Sequence, residues 1–189
     1  EAWPDPRDAD ELHDALVSAG FLTMTEVARE QGWSDWLQEL SRSGRAAIAM
    51  REGWSEGVWV SAERLPEMQA AIESARFDPA IGAPPSRATI DWTREAALME
   101  LFRGRMALAG PIAPRHLGSP LGFDHDASLQ LLLALEADGA VLRGWFSPGG
   151  VEEEWCDRRL LARIHRATLQ RLRAEIQPVS QWGFMRFLF

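Results

Sequence analysis

The chain has no lysine and no tyrosine among its 189 residues, and it has one cysteine, Cys156. The lysine of a phosphate-binding loop contacts the β- and γ-phosphates of ATP, so its absence excludes an ATPase of that type within this sequence. Catalysis through a lysine Schiff base is excluded for the same reason. A single cysteine cannot form an internal disulfide and is typical of a protein in a reducing cytosol.

Long apolar runs are also missing. No segment approaches the roughly 18 unbroken apolar residues that a membrane span needs, and no signal peptide precedes the first helical pattern. We therefore expect a cytoplasmic protein with no membrane partner. The sequence starts at Glu1 rather than Met and ends in an apolar Phe187-Leu188-Phe189, which favours a piece of a longer protein.

Charge is distributed unevenly along the chain. Residues 158–189 hold seven of the 20 basic and one of the 28 acidic residues, for a net charge of +6, whereas residues 1–157 carry −14. All 20 basic residues are arginine. A basic helix attached to an acidic body indicates a contact with an anion, with a nucleic acid or with that body itself.

Residues 1–75 carry one order of helix and strand signals. Apolar periodicity predicts helices over about residues 8–19, 24–32 and 34–44. The second begins at the capping box of Thr23 and Glu26, and Ser34 is the predicted N-cap of the third. Residues 46–51 and 58–61 predict a hairpin, and a last helix reaches about residue 75. Three helices followed by a hairpin is the winged-helix order.

Residues 76–91, rich in proline and glycine, predict a linker. In residues 92–157 the order repeats, with helices over about 93–108, 113–117 and 124–139 and a hairpin over about 140–156. Arg105 falls on the apolar face of the first helix. The third helix, capped by Asp124, should bury Leu129, Leu132, Leu133 and Leu135 and leave Ser128 outside. The sequence thus predicts a mostly α fold with short β-hairpins, of the α+β class, in which tandem winged-helix units precede residues 158–189. This last range is predicted to hold an Arg-rich helix, to about residue 176, and the start of a truncated helical element.

The elements that read DNA in winged-helix proteins are acidic here. The third helix of such a unit normally enters the major groove. In the second unit this helix has no arginine and several outward carboxylates, and the wing carries three consecutive glutamates at 152–154. Because phosphate attraction dominates affinity for DNA, we expect neither unit to read a groove.

The Arg-rich helix is amphipathic. At about 100° per residue, one side of it presents a stripe that we call the ridge, composed of Arg159, Arg163, Arg166, Gln170 and Arg173. Guanidinium groups bind phosphate bidentately, so the ridge is the candidate nucleic-acid site. The alternative is that the ridge pairs with the acidic body. Beyond it, a candidate interface consists of Trp182, Phe184, Met185, Phe187 and Phe189.

No catalytic or metal site is predicted. The four histidines are widely separated and no zinc-ligand spacing exists. Cys156 and His165 could meet as nucleophile and base, but without a third orienting group a buried structural thiol is the favoured interpretation. The nine tryptophans could stack on bases, although core packing is their default role.

Several stretches resemble the C-terminal region of bacterial large helicase-related (Lhr) proteins. The specific ones are WCDRRLLARIHR (155–166), LRAEI (172–176) and FMRFLF (184–189). Others are DPRDA (5–9), WVSAERL (59–65), REAA (94–97) and GPI (110–112).

The resemblance implies a segment of a superfamily-two, ATP-dependent DNA helicase that acts in DNA repair. ATP and Mg would then bind upstream motor domains, and no cofactor is expected in this segment. The partners implied are single-stranded DNA or an RNA–DNA hybrid, the motor domains and a possible homo-oligomer. Two alternatives remain: a protein-interaction or oligomerisation scaffold, and part of a uracil-DNA-glycosylase-like module. The Gln-x-Gln motif of related glycosylases has no match, so no catalytic residue is carried over.

Overall fold

The computed structural model of the protein describes residues 3–175. The helices are α1 (Ala9–Ala19), α2 (Met24–Arg29), α3 (Trp33–Arg42), α4 (Leu65–Ala71), α5 (Pro85–Ala88), α6 (Arg94–Ala109), α7 (Pro114–Gly118), α8 (His125–Ala137) and α9 (Arg158–Glu175). The strands are β1 (Leu22–Thr23), β2 (Ala46–Met50), β3 (Val58–Ser61), β4 (Arg76–Asp78), β5 (Val141–Gly144) and β6 (Glu154–Asp157). One antiparallel sheet has the order β1-β3-β2-β4, and β5 pairs with β6. The predicted α+β class is confirmed.

Local signals fix most helix ends, with one exception at α3. The predicted capping box at the start of α2 is present, since Glu26 N donates to Thr23 Oγ1 and Thr23 N donates to Glu26 Oε2. The prediction that Ser34 caps α3 is wrong, because the helix begins at Trp33 after Gly32. Gly32 has a φ of +83°, a left-handed conformation that glycine adopts without a Cβ clash. After this turn, Trp33 is buried in the core.

The range predicted as a linker contains two ordered elements. Strand β4 extends the first sheet by pairing with β2, in a register that joins Ile48 to Asp78 and Met50 to Arg76. Helix α5 brings Arg87 to the buried carboxylate of Glu67. Residues 76–88 therefore pack on the first unit, and the division of the chain into two units and a linker remains a prediction.

The two predicted units share an order of elements and a strand register. In the first, Leu22 follows α1 and pairs with Trp59 on the second hairpin strand. In the second, Ile112 follows α6 and bridges Trp155 at the corresponding place on β6. Glycines with positive φ follow the first and third helices of each unit: Gly20, Gly44, Gly110 and Gly139.

One hydrophobic core runs across both units. Phe21, Val58 and Met68 from the first unit lie in one cluster with Leu101 and Phe102 of α6. A second, smaller cluster lies within the first unit. Helix α6 packs against both α1 and α4, so the opening helix of the second unit covers the apolar side of the first.

The buried side of α8 differs from the predicted one. Leu132 and Leu135 are buried as expected, but Leu133 is exposed and Ser128 is fully buried. The stripe 128-132-135 has helical i, i+4, i+7 spacing, and Leu133 lies about 100° away from it. Ser128 can be buried because its hydroxyl donates to the carbonyl of Asp124 at 2.7 Å, which satisfies the polar group within the helix.

Gly104 marks the closest approach of α6 to the end of α1. A Cβ at this position would lie 2.6 Å from the carbonyl oxygen of Ser18 and 3.0 Å from that of Ala19. We expect G104A to lower the free energy of unfolding by about 2–3 kcal/mol, because a backbone carbonyl cannot rotate away. Urea denaturation measures this loss. The control is G82A, where no atom lies within 4 Å of the new Cβ. Alanine favours a helix over glycine by about 1 kcal/mol, so an unchanged or stabilised G104A would disprove the close approach.

Candidate nucleic-acid interface

Helix α9 is attached to the body through its first turn. The Asp157 carboxylate accepts a hydrogen bond from Leu160 N at 2.8 Å and so caps the helix. The amide of Arg158 donates to the carbonyl of Ala140 at 3.0 Å, and Leu160 is buried. From Ala162 to Ala174 the side chains are exposed, with Ala167 half-buried. The remainder of α9 is therefore open to solvent on nearly all sides.

The five ridge residues are all exposed along α9: Arg159, Arg163, Arg166, Gln170 and Arg173. Their stripe is about 80° wide and about 21 Å long, from the rise and rotation of an α-helix. In the described part of the chain, no carboxylate forms an ion pair with Arg159, Arg166 or Arg173. These three arginines are exposed and have no carboxylate partner in that range. The candidate interface residues, Trp182, Phe184, Met185, Phe187 and Phe189, lie outside the described residues.

The opposite side of α9 is apolar and also exposed. Ile164 and Leu169 each keep 38% of their surface in solvent, and Leu172 keeps 48%. Because these side chains remain in solvent, packing of an apolar face contributes little to the stability of α9. α9 thus presents two different surfaces on opposite sides, one of guanidinium groups and one of aliphatic side chains.

The third helix of each unit offers no cationic surface of comparable density. On α3 the exposed positions are Ser34, Asp35, Gln38, Glu39 and Arg42. On α8 the exposed ionisable residues are His125 and Asp126, and the flanking Asp124 and Asp138 are exposed as well. These surfaces would meet phosphates with neutral or repulsive electrostatics.

The wing between β5 and β6 is less acidic than its sequence indicates. Glu152 forms an ion pair with Arg115 of α7. Glu153 lies 3.6 Å from the guanidinium of Arg143. Two of the three consecutive carboxylates therefore face arginines, one on the distant helix α7 and one on the neighbouring strand β5.

Glu154 holds the turn of the wing. Its carboxylate accepts hydrogen bonds from Phe146 N at 3.1 Å, from Ser147 N at 2.8 Å and from Ser147 Oγ at 2.7 Å. Desolvation acts to raise the pKa of Glu154, but the hydrogen bonds from Ser147 and Phe146 outweigh it and keep this pKa below its ordinary value of 4.5. The charged form is therefore part of the folded turn.

Acid should weaken the hydrogen bonds by which Glu154 holds this turn. A carboxyl whose pKa is lowered by folding stabilises the fold above its ordinary pKa, and this contribution is lost as the pH falls through the lowered value. We expect the Phe146 and Ser147 amide resonances to shift upfield as the pH falls through the lowered pKa of Glu154, with a midpoint below 4.5. The measurement is an NMR titration. E154Q should abolish the transition and E153Q should retain it; a transition that survives E154Q would assign the turn to another group.

The tryptophans of the described residues pack in or against the core, as predicted, with the exception of Trp145. Trp33, Trp59 and Trp155 are buried, and four others are partly buried against the core: Trp3, Trp36, Trp54 and Trp92. Trp145, beside the wing turn, keeps 63% of its surface exposed. Of the stacking candidates in the described residues, Trp145 presents the most open ring.

Cys156 is confirmed as a buried thiol. Burial raises its pKa to about 11, and the negative charges of Asp157 and Glu154 act in the same direction. At neutral pH the thiol is protonated and is a poor nucleophile, and His165 is exposed on α9. Within residues 3–175 no group of histidine, cysteine or carboxylate side chains is arranged to hold a metal ion. No helix in that range is long and apolar enough to cross a bilayer.

Comparison with known proteins gives one similarity of note. No family model matches the sequence. The chain is 27% identical over 188 residues to a segment of a Mycolicibacterium smegmatis protein described as an Lhr helicase and probable uracil glycosylase. The match covers 96% of this chain but spans 12% of the length of that relative. The chain therefore resembles an Lhr-like region that makes up a small part of a much longer protein.

Proposed function

We propose that this chain is a non-catalytic, tandem winged-helix segment of an Lhr-type DNA helicase and that it contacts nucleic acid through the ridge of α9. The observation that carries the proposal is the exposed row of Arg159, Arg163, Arg166 and Arg173. Three of these lack an ion-pair partner in residues 3–175, as described above. A row of guanidinium groups about 21 Å long matches the repeated negative charge of a phosphate backbone.

The winged-helix part of the proposal is supported by element order. Each unit has three helices followed by a two-stranded hairpin, and the residue after the first helix pairs with the last hairpin strand. In a helicase, units of this kind need not read bases, because sequence-independent phosphate contacts are sufficient for nucleic-acid handling. This role is compatible with the neutral or acidic third helices.

The similarity to the Mycolicibacterium smegmatis protein supports a proposal about the longer protein to which such a segment belongs. Because the Mycolicibacterium smegmatis protein is described as a helicase, we propose that motor domains elsewhere in the longer protein bind ATP and Mg. The substrate would be single-stranded DNA or an RNA–DNA hybrid, in a DNA repair setting. The segment would hold the strand while the motor domains move along it.

Replacing the ridge arginines by glutamine should weaken binding to a single-stranded oligonucleotide. We expect the fourfold variant R159Q/R163Q/R166Q/R173Q to lose at least about 100-fold in affinity, and its log–log salt slope to fall by about 0.7 for each phosphate that is no longer neutralised. Fluorescence anisotropy across a series of salt concentrations measures both quantities. The control is R171Q, which removes one charge from the same helix off the ridge. An unchanged affinity in the fourfold variant would refute the ridge.

Two other functions have a specific observation in their favour. The exposed aliphatic face of α9, with Ile164, Leu169 and Leu172, favours a protein-interaction scaffold. In that case an I164S/L172S variant would lose a protein partner or an oligomer while DNA affinity stays constant. The description of the relative as a probable uracil glycosylase favours the second. Release of free uracil from DNA by the 189-residue chain would establish that activity.

A further inference from the structure

A groove lies where the first turn of α9 meets the body. Its walls are α6, the turn between α8 and β5, and α9, and its volume is about 870 Å³. Five arginines and three carboxylates line it: Arg64, Arg103, Arg158, Arg159, Arg163, Glu100, Asp138 and Asp157. The lining thus carries an excess of two positive charges on a protein whose net charge is −8.

Each of the three carboxylates already has a partner within the protein. Glu100 accepts from Arg64 at 3.0 Å and from Arg103 at 3.3 Å. Asp138 accepts from Arg103 at 3.1 Å. Asp157 caps α9, as described above. These interactions hold the three carboxylates and two of the arginines in the walls. The carboxylates are therefore already paired and offer less repulsion to an incoming anion.

Arg158 and Arg159 supply the positive charge that is left. Both are exposed, and in the described part of the chain neither forms an ion pair with a carboxylate. The guanidinium of Arg158 lies over the α8–β5 turn, where its Nη1 would be 3.8 Å from a Cβ on Gly139. This distance is an ordinary van der Waals contact, so the side chain packs beside the turn.

The groove is continuous with the ridge. Arg159 and Arg163 line the groove and also begin the ridge, so a backbone that follows the ridge arginines of α9 leads to the groove. Arg158 belongs to the groove alone, since it lies off the ridge. A concave site concentrates the field of its charges more than a flat helix face does.

We propose that this groove binds a phosphate group of a nucleic-acid strand and so fixes the position of that strand at the body end of α9. The proposal rests on the proposed function of the ridge. Each guanidinium group can donate two hydrogen bonds to a phosphate. A phosphate has more acceptor oxygens than a carboxylate, so it can accept from two neighbouring arginines at once. Arg158 would be a positioning contact, with the ridge providing the remaining affinity.

The test is anisotropy of the 189-residue chain with a labelled single-stranded oligonucleotide of about 20 nucleotides. We expect R158Q to weaken binding by about 5- to 10-fold and to reduce the salt slope by about 0.7, with R158K intermediate and R171Q unchanged. An R158Q protein that binds as tightly as the wild type would overturn the groove. Circular dichroism of R158Q establishes that α9 remains folded.

A double variant, R166Q/R173Q, removes the two ridge arginines that do not line the groove and so separates the two proposals. If R166Q/R173Q loses affinity and R158Q does not, the groove is wrong and the ridge stands. If R158Q loses affinity and R166Q/R173Q does not, the ridge is wrong and the strand binds at the groove.

Two competitors identify the source of the anion. Inorganic phosphate that binds in an Arg158-dependent manner without displacement of the oligonucleotide would show a free-phosphate site and overturn the nucleic-acid assignment. Displacement of the oligonucleotide by poly-glutamate at equal charge concentration would show a site for acidic peptides and overturn it as well. Competition by an unlabelled oligonucleotide alone supports the proposal.

Discussion

Replacing Arg105 by alanine is expected to lower the free energy of unfolding by about 3–5 kcal/mol, because it leaves the largely buried carboxylate of Glu26 without its cation. Arg105 lies on α6 and keeps 8% of its side-chain surface exposed. Its guanidinium pairs with Glu26 of α2, donates to the carbonyl of Phe21 at 3.5 Å, and lies 5.3 Å from the centre of the Phe21 ring. It also lies 5.9 Å from the Trp3 ring.

The same helix provides the matched control. Arg103 makes two ion pairs but keeps 45% of its side chain exposed, so R103A should cost less than about 1 kcal/mol. Urea denaturation of both variants measures the difference. If R105A and R103A lose equal stability, the buried pair does not hold the second unit to the first. E26Q should reproduce most of the R105A loss, because it leaves the guanidinium buried without its anion.

The second large effect is expected at Glu67, whose side chain is 0% exposed. Glu67 accepts from Arg64 at 3.2 Å and also pairs with Arg87 of α5. Arg64 in turn donates to the carbonyl of Val17 and to Glu100 of α6. One carboxylate therefore joins α4 to α5 and, through Arg64, to α1 and α6.

E67Q removes the charge that balances two guanidinium groups. We expect a loss of about 3 kcal/mol in the free energy of unfolding, because both arginines then face a neutral amide in a buried site. The control is E73Q, an exposed residue just beyond α4, which should change stability by less than about 0.5 kcal/mol. Thermal unfolding followed by circular dichroism compares the two. Equal melting temperatures for E67Q and E73Q would contradict a stabilising role for this cluster.

Local signals in the sequence were sufficient to predict most of the helices and both hairpins. The capping box of Thr23 and Glu26 works through neighbours three residues apart, and Asp124 caps α8 in the same way. Such contacts are encoded within one turn of chain. Ser34 failed as a cap because Gly32 offered a left-handed turn two residues earlier, and propensity alone could not rank the two.

The ion pairs and the groove that the sequence did not predict depend on residues that are distant in sequence. Glu152 is neutralised by Arg115, 37 residues away, and Arg105 meets Glu26 across 79 residues. No periodicity or spacing signals these pairs. The groove is similar, since Arg103 and Arg158 come from different elements and become neighbours only in the folded chain. By contrast, the ridge was visible because a helix places residues three, four and seven apart on one side.

Because the core extends through both repeats, the described body should unfold as one unit. Phe21 and Met68 of the first repeat share their apolar surroundings with Leu101 and Phe102 of the second. A cut within residues 79–91 would expose these side chains on both halves, and each half would be left with an open apolar surface. The two predicted units should therefore not melt separately, and we expect a single cooperative unfolding transition for both.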